Sequence, residues 1–255
     1  DVVEREDHVR AAGAAFARFQ RRLADLPGPR LHETIPHFGD TRVRFAQFEA
    51  ALGADPAGRA ADARADVDFA LARRDDARVL MDLLEAGRVP ERITHYDTKL
   101  NNVMIDDATG EGVCVIDLDT VMPGGIVYDF GDAVRQTVNP AAEDEPDLDK
   151  VRLNLDRFEL LARGYLGGAR AFLTDVEVNH LAFAARLIPF TIGLRFLTDH
   201  LNGDVYFRVH RPGHNLDRCR TQFHLVRQME KRADEIDAIV ERYRQDASRE
   251  DAEHA

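Results

Sequence analysis

Residues 93–119, ITHYDTKLNNVMIDDATGEGVCVIDLD, decide how this chain is read. Two short β-branched runs, 103–105 and 113–116, flank the turn-forming cluster Asp106-Asp107-Ala108-Thr109-Gly110, so the pattern predicts a hairpin. Ile93-Thr94 is expected to add a small strand. The loop before the hairpin holds His95, Asp97, Lys99 and Asn102; Asp117 closes the second run, and Asp119 follows two residues later.

On either side the chain reads as helix. Apolar residues recur at helical spacing over 1–26 and stop at Pro27-Gly28-Pro29. A short helix is expected over 41–52 and one long helix over 57–86, ended by Gly87 and Pro90. Beyond the hairpin, Pro123, Gly124 and Gly125 indicate an irregular loop, and 128–137 a short helix. The acidic stretch AAEDEPDLDK, 141–150, reads as a solvated loop, and 148–165 as helix. Thr174-Asp175-Val176-Glu177 is a capping-box signature for a helix reaching about Asn202, with a bend expected near Pro189 and Gly193. A last helix is predicted over 217–245, and the polar tail 246–255 is expected to fray. The fold class is therefore mainly α with a small β element, in a single unit: a helical segment 1–92, the loop and hairpin 93–119, and a helical region 120–245.

Composition narrows the function classes. The 44% hydrophobic and 31% charged content is that of an ordinary globular protein, and a net charge of -12 argues against a nucleic-acid partner, which needs a basic face. Acidity leaves a nucleotide ligand open, because Mg²⁺ bridges carboxylates to phosphates. Cys114 and Cys219 lie far apart and read as reduced residues rather than a disulfide or metal pair. No long apolar stretch stands out, so no membrane span is expected; the charged N-terminus does not read as a signal peptide, and a cytoplasmic location is the default expectation. His210 and His214 read as loop histidines, without ligand-spaced partners for zinc.

The loop itself points to phosphoryl transfer. Its His-x-Asp-x-x-x-x-Asn spacing matches the protein-kinase catalytic loop. Asp97 can accept the proton of an attacking hydroxyl, Lys99 can neutralise charge on the transferring group, and Asn102 with Asp117 can offer oxygens to Mg²⁺. Asp119 is a further candidate metal contact or a loop cap, and His95 reads as architectural. Asp129 and Asp132, in YDFGD, read as helix caps and loop anchors.

Five stretches carry a family resemblance: LHETIPHF (31–38), the block 94–124, YDFGDAVR (128–135), LRFLTDHLNGDVYF (194–207) and HNLDRCRTQ (214–222). On these the chain resembles the aminoglycoside-phosphotransferase-like kinases, and among them the N-acetylhexosamine kinases, which phosphorylate the anomeric hydroxyl of the sugar using ATP and Mg²⁺. The resemblance implies Asp97 as base, Asn102 and Asp117 as Mg²⁺ ligands, and Arg195 with Tyr206 as the sugar-contacting pair. It also implies a protein-kinase-like C-terminal lobe. No glycine-rich strand-turn-strand precedes the catalytic loop, so the N-terminal β lobe is expected to be missing, and with it much of the ATP affinity and turnover. Asp117-Leu118-Asp119 stands where protein kinases have Asp-Phe-Gly, which favours small-molecule acceptors over proteins. The competing readings are an aminoglycoside antibiotic phosphotransferase, a non-catalytic sugar-binding module, and a metal-dependent hydrolase using Asp97, Asp117 and Asp119.

Overall fold

Two antiparallel strand pairs carry the central segment in the computed structural model, which describes residues 5–253, with side-chain surroundings through 245. β1 (Arg92–Thr94) pairs with β4 (Met122–Gly124), and β2 (Val103–Ile105) with β3 (Gly112–Val115). In the hairpin, Val103 faces Val115 and Met104 faces Cys114, with a register shift before Ile105. Its turn is closed by Asp106, whose carboxylate accepts from the backbone N–H groups of Ala108 (3.0 Å) and Thr109 (2.8 Å). The stretch expected to be an irregular loop instead contains β4. Pro123 is tolerated because the pair has only edge strands, and Gly124 because the Tyr96 ring lies where its Cβ would be.

The helices are α1 (Glu6–Leu23), α2 (Thr41–Ala54), α3 (Arg64–Leu71), α4 (Asp76–Glu85), α5 (Val127–Thr137), α6 (Leu155–Ala169), α7 (Asp175–Asn179), α8 (Leu181–Leu201), α9 (His214–Lys231) and α10 (Ala233–Glu253). One core gathers Phe130, Phe158, Leu161, Tyr165 and Met229 between α1, α5, α6, α8, α9 and α10. A second gathers Phe45, Phe48, Phe69, Phe190 and Phe223 between α2, α3, α8 and α9. α8 belongs to both, which is why it is apolar on every side. The expectation of no long apolar stretch needs correcting here: Leu181–Leu201 is long and apolar enough to cross a membrane by composition, but 72% of its most apolar window is buried inside the protein.

Several helices divide where the sequence suggests continuity. The expected 57–86 helix is two, α3 and α4. At the break Arg73 lies 3.4 Å over the Phe69 ring and pairs with Glu230 of α9, and the turn lets Ala77 O accept from Thr41 Oγ1. Arg, Asp and Ala all tolerate helix, so this tertiary tie leaves no local signal. The 148–165 helix starts later: residues 148–150 form one 3₁₀ turn, and Asn154 caps α6 by accepting from Arg157 N. The capping box at Thr174 is present, but it opens the short α7; the His180 ring bonds Val176 O at 2.7 Å and α8 starts afresh. The last predicted helix is α9 and α10, separated at Arg232 with neither Gly nor Pro to mark it. α10 runs on to Glu253, past the expected end at 245; the rest of the expected frayed tail, residues 254–255, lies outside the described residues, as do residues 1–4 of the first predicted helix.

α1 and α6 meet along small residues. A Cβ on Gly13 would lie 2.7 Å from Leu161 O and 3.0 Å from Tyr165 N, and one on Gly164 would collide with Arg10 O. Backbone cannot move aside cheaply, so Gly13→Ala is expected to destabilise by about 1–3 kcal/mol despite its better helix propensity. A urea unfolding curve with an unchanged midpoint would refute that close approach. The seam matters for the site because α1 also packs on the hairpin, with Ala12, Ala15 and Phe16 against Val103.

Candidate active site

The loop between β1 and β2 is hung from α5. Asp129, 1% exposed, accepts from His95 N and Tyr96 N (both 2.8 Å) and from Gln20 Nε2 of α1 (2.8 Å). Asp132, 2% exposed, accepts from Thr98 N at 2.8 Å and is held by Arg135 at 2.7 Å. Thr98 Oγ1 donates to Asp129 O, and Thr120 Oγ1 to His95 O, so both ends of the segment are tied. These bonds hold Tyr96 at φ 67, a left-handed conformation that costs a non-glycine residue on the order of 1–3 kcal/mol. Burial pushes the Asp129 carboxyl up to about 6, against the pull of the N–H donors that surround it.

His95 is fully buried, edge-on to Phe16 and Phe19. Its Nδ1 accepts from Asp97 N at 3.3 Å, which leaves the proton on Nε2 to donate to Ile116 O at 3.1 Å. One ring thus joins the catalytic loop to the strand that delivers Asp117.

Around this scaffold four polar tips converge. Lys99 Nζ donates to Asp97 Oδ2 at 2.7 Å and stands 3.6 Å from Asp117 Oδ2. Asn102 Nδ2 donates to the same Asp97 oxygen at 3.0 Å and to Asp97 O at 2.8 Å. The hydrogen bond to Asp97 is the leading cause that raises the Lys99 pKa, so the ammonium stays charged. Asp117 adopts φ 61, ahead of a 3₁₀ turn at 118–120, which leaves its carboxyl 46% exposed. Asp119, in that turn, is exposed and makes no hydrogen bond or ion pair among the described residues.

Two carboxylates and an amide give an all-oxygen donor set. It suits Mg²⁺, which takes one or two carboxylates and fills its other positions with water and phosphate oxygens. It does not make a closed protein cage: among the described residues no three His, Cys, Asp or Glu side chains cluster as one. The Lys99 ammonium already lies within reach of both carboxylates, 2.7 Å from Asp97 Oδ2 and 3.6 Å from Asp117 Oδ2, so the site holds a cation between them.

Arg195 and Tyr206 lie elsewhere, in a cleft of about 530 Å³ that Arg44, Gln47, Asp199 and Phe207 also line. The Arg195 guanidinium is 5.9 Å from the Tyr206 ring, and Tyr206 itself is 73% exposed at the rim rather than packed in the core. Asp97 does not line this cleft. Phe38 stands between, 5.5 Å from the Tyr96 ring and 5.8 Å from the Arg195 guanidinium.

Sequence reasoning missed the residue that shapes the cleft. Asp199, 3% exposed, accepts from Val205 N and Tyr206 N with one oxygen and from Phe207 N and Asn215 Nδ2 with the other, all at 2.8–2.9 Å. It folds 205–207 back onto α8 and so presents Tyr206. The available signal was an aspartate inside an apolar helix, four residues before Gly203. The acidic stretch expected to be solvated is likewise anchored: Asp144 meets His214 Nε2 at 2.9 Å, and Glu143 reaches Arg135. His214 is the first residue of α9, not a loop residue. Among the described residues both cysteines are free, Cys114 exposed and Cys219 buried.

Comparison with known proteins gives two findings. Residues 2–166 match the family model described as APH, the phosphotransferase enzyme family. Among solved structures, an ethanolamine kinase of Plasmodium vivax is similar at a TM-score of 0.51 and 14% sequence identity, over 87% of this chain and 62% of that one. The chain thus spans less than two thirds of the length of that kinase. At that identity the likeness is one of fold: a mainly helical catalytic lobe of the kinase-like kind.

Proposed function

Because the chain belongs to the phosphotransferase enzyme family, we propose that it is the catalytic lobe of an ATP- and Mg²⁺-dependent small-molecule kinase whose acceptor is an N-acetylhexosamine, phosphorylated at the anomeric hydroxyl. The observation that carries the reading is the meeting of Asp97, Lys99, Asn102 and Asp117 at the mouth of one loop and hairpin.

Each side chain then has a task. Asp97 is fixed through Oδ2 by Lys99 and Asn102, which leaves its other oxygen to align the acceptor hydroxyl and take its proton. Lys99 supplies positive charge where negative charge builds on the transferring phosphoryl group. Asn102 and Asp117 would hold Mg²⁺, which supplies charge neutralisation for the nucleotide phosphates. His95, Asp129 and Asp132 touch no reactant; they fix the loop.

The acceptor assignment rests on the Arg195–Tyr206 cleft. At about 530 Å³ it has the size of a small-molecule pocket. An arginine fork can donate to sugar hydroxyls or an acetamido carbonyl, and a rim tyrosine can cover a pyranose face. Among the described residues neither Arg44 nor Arg195 forms an ion pair, and a polycationic aminoglycoside would meet their positive charge unfavourably.

The test is an assay of ADP release by the full-length protein with MgATP and N-acetylglucosamine, N-acetylgalactosamine or aminoglycosides. The N-acetylated sugars are expected to be consumed. Arg195→Ala is expected to raise the KM for sugar by about 10–100-fold, the worth of one or two hydrogen bonds from a charged donor, with little change in the KM for ATP. Turnover of aminoglycosides alone would replace the sugar reading.

A further inference from the structure

From two arginines of this cleft that form no ion pair among the described residues, in the cleft that the preceding reading gives to the acceptor, we infer that it selects ligands carrying an oxyanion: a carboxylate or a phosphate ester on a hydroxylated ring.

Arg44 and Arg195 line the same cavity. Among the described residues every hydrogen-bond partner of the Arg44 guanidinium is neutral: Nη1 donates to Gln47 Oε1 at 3.1 Å, and Nη2 to the carbonyls of His37 (3.2 Å) and Phe38 (3.3 Å). Its Nε is buried and has no acceptor among the described residues. Arg195 lies 5.4–5.9 Å from the rings of Phe38, Tyr206 and Phe207, and among the described residues it forms no ion pair. Burial first, and then repulsion from Arg195, lowers the Arg44 pKa from its ordinary value.

The carboxylate that lines this cleft forms no ion pair with either arginine among the described residues. Both oxygens of Asp199 are taken by three backbone N–H groups and Asn215. Asp204, beside it, is held by Arg59 and Asn215. Two residues before Arg44 the chain solves the same problem differently: Arg42 has Asp40 and Glu85 as partners. Arg44 and Arg195 thus share one cleft without an ion pair among the described residues.

Withdrawing a guanidinium from water without a counter-charge is unfavourable, and a bound oxyanion reverses that cost. The planar fork matches carboxylate and phosphate geometry through paired N–H donors. A hydroxylated ring fits the remainder, with Tyr206 at the rim and the amide of Gln47 on the wall.

The experiment is isothermal titration of the 255-residue chain with N-acetylglucosamine, N-acetylglucosamine 6-phosphate, glucuronate and inorganic phosphate. At least one anionic sugar is expected to bind tenfold or more tightly than the neutral one; which of the two gains tells phosphate from carboxylate. That advantage is expected to shrink as salt is raised, to disappear in Arg44→Gln and to be partly restored in Arg44→Lys. Salt titration of the wild type decides the matter even if the variants fail to fold. Equal affinities, an advantage insensitive to salt, one that survives in Arg44→Gln, or binding of inorganic phosphate alone would each overturn the inference. Phosphorylation of the neutral sugar with no anionic gain removes this inference and leaves the kinase reading. Tight anion binding without transfer to any sugar does the reverse.

Discussion

Replacing Asp97 with asparagine is expected to lower turnover by about 10²–10⁴-fold, the usual contribution of a positioned general base, while acceptor and nucleotide affinities change little. The substitution keeps shape and one oxygen. That oxygen can still accept from Lys99 Nζ and Asn102 Nδ2, which lie 2.7 and 3.0 Å from Oδ2 in the native protein. The new amide NH₂ then points where the acceptor hydroxyl must deliver its proton, and an N–H has no lone pair to receive it. Loss of kcat without loss of binding is the pattern for an interaction needed only in the transition state. Steady-state kinetics on an active preparation, with a thermal unfolding curve to show that the variant is folded, checks the prediction. Near-native turnover in Asp97→Asn would remove Asp97 as the base and leave Asp117, partly exposed beside Lys99, as the next carboxylate to examine.

The same group of residues illustrates what the sequence could and could not tell. The closeness of Asp97, Lys99, Asn102 and Asp117 in sequence was legible because they sit on one short loop, a two-strand hairpin and a turn; the anchoring of that loop to α5 and α1 was not. The hairpin turn was legible for the same reason, since Asp106 and Gly110 carry its chemistry. Contacts made at long range were not. Nothing near Arg73 announces that it will reach Glu230 and split a helix, and nothing in MEKRADEI announces the break at Arg232. Arg44 sits in an unremarkable stretch of α2, and its position beside Arg195 follows only from the packing of α2 on α8. Asp129 belongs to both classes: it reads as a helix cap and loop anchor, and the structure keeps only the anchor, since α5 has no side-chain cap and the carboxylate reaches back across the chain to Gln20, His95 and Tyr96.

That difference makes Asp129 the site of the largest expected stability effect. Asp129→Ala strips the acceptor from three buried or nearly buried donors: two backbone N–H groups and the Gln20 amide. An orphaned buried donor costs about 1–3 kcal/mol, so three put the total loss on the order of 3–9 kcal/mol, a large part of the 5–15 kcal/mol typical of a folded domain. Asp129→Asn keeps one acceptor but turns an NH₂ toward another donor, and is expected to fall between. The pH dependence separates charge from geometry. Burial raises the Asp129 pKa from 3.8 to about 6 in the fold, so the folded state binds more protons than the unfolded state between those values. Its contribution is fully present below about 3.8 and is lost as pH rises through about 6. At about 1.4 kcal/mol per pKa unit, that loss is on the order of 3 kcal/mol. Urea unfolding of wild type and Asp129→Asn at pH 4, 5, 6 and 7 measures it. The wild-type advantage is expected to be greatest at pH 4 and to narrow toward pH 7, because every other carboxylate is common to both proteins and cancels in the difference. A gap that stays constant would mean that Asp129 is ionised throughout, held by its donors against desolvation. A gap that widens with pH would mean that those donors lower its pKa below the ordinary value, reversing the sign argued here.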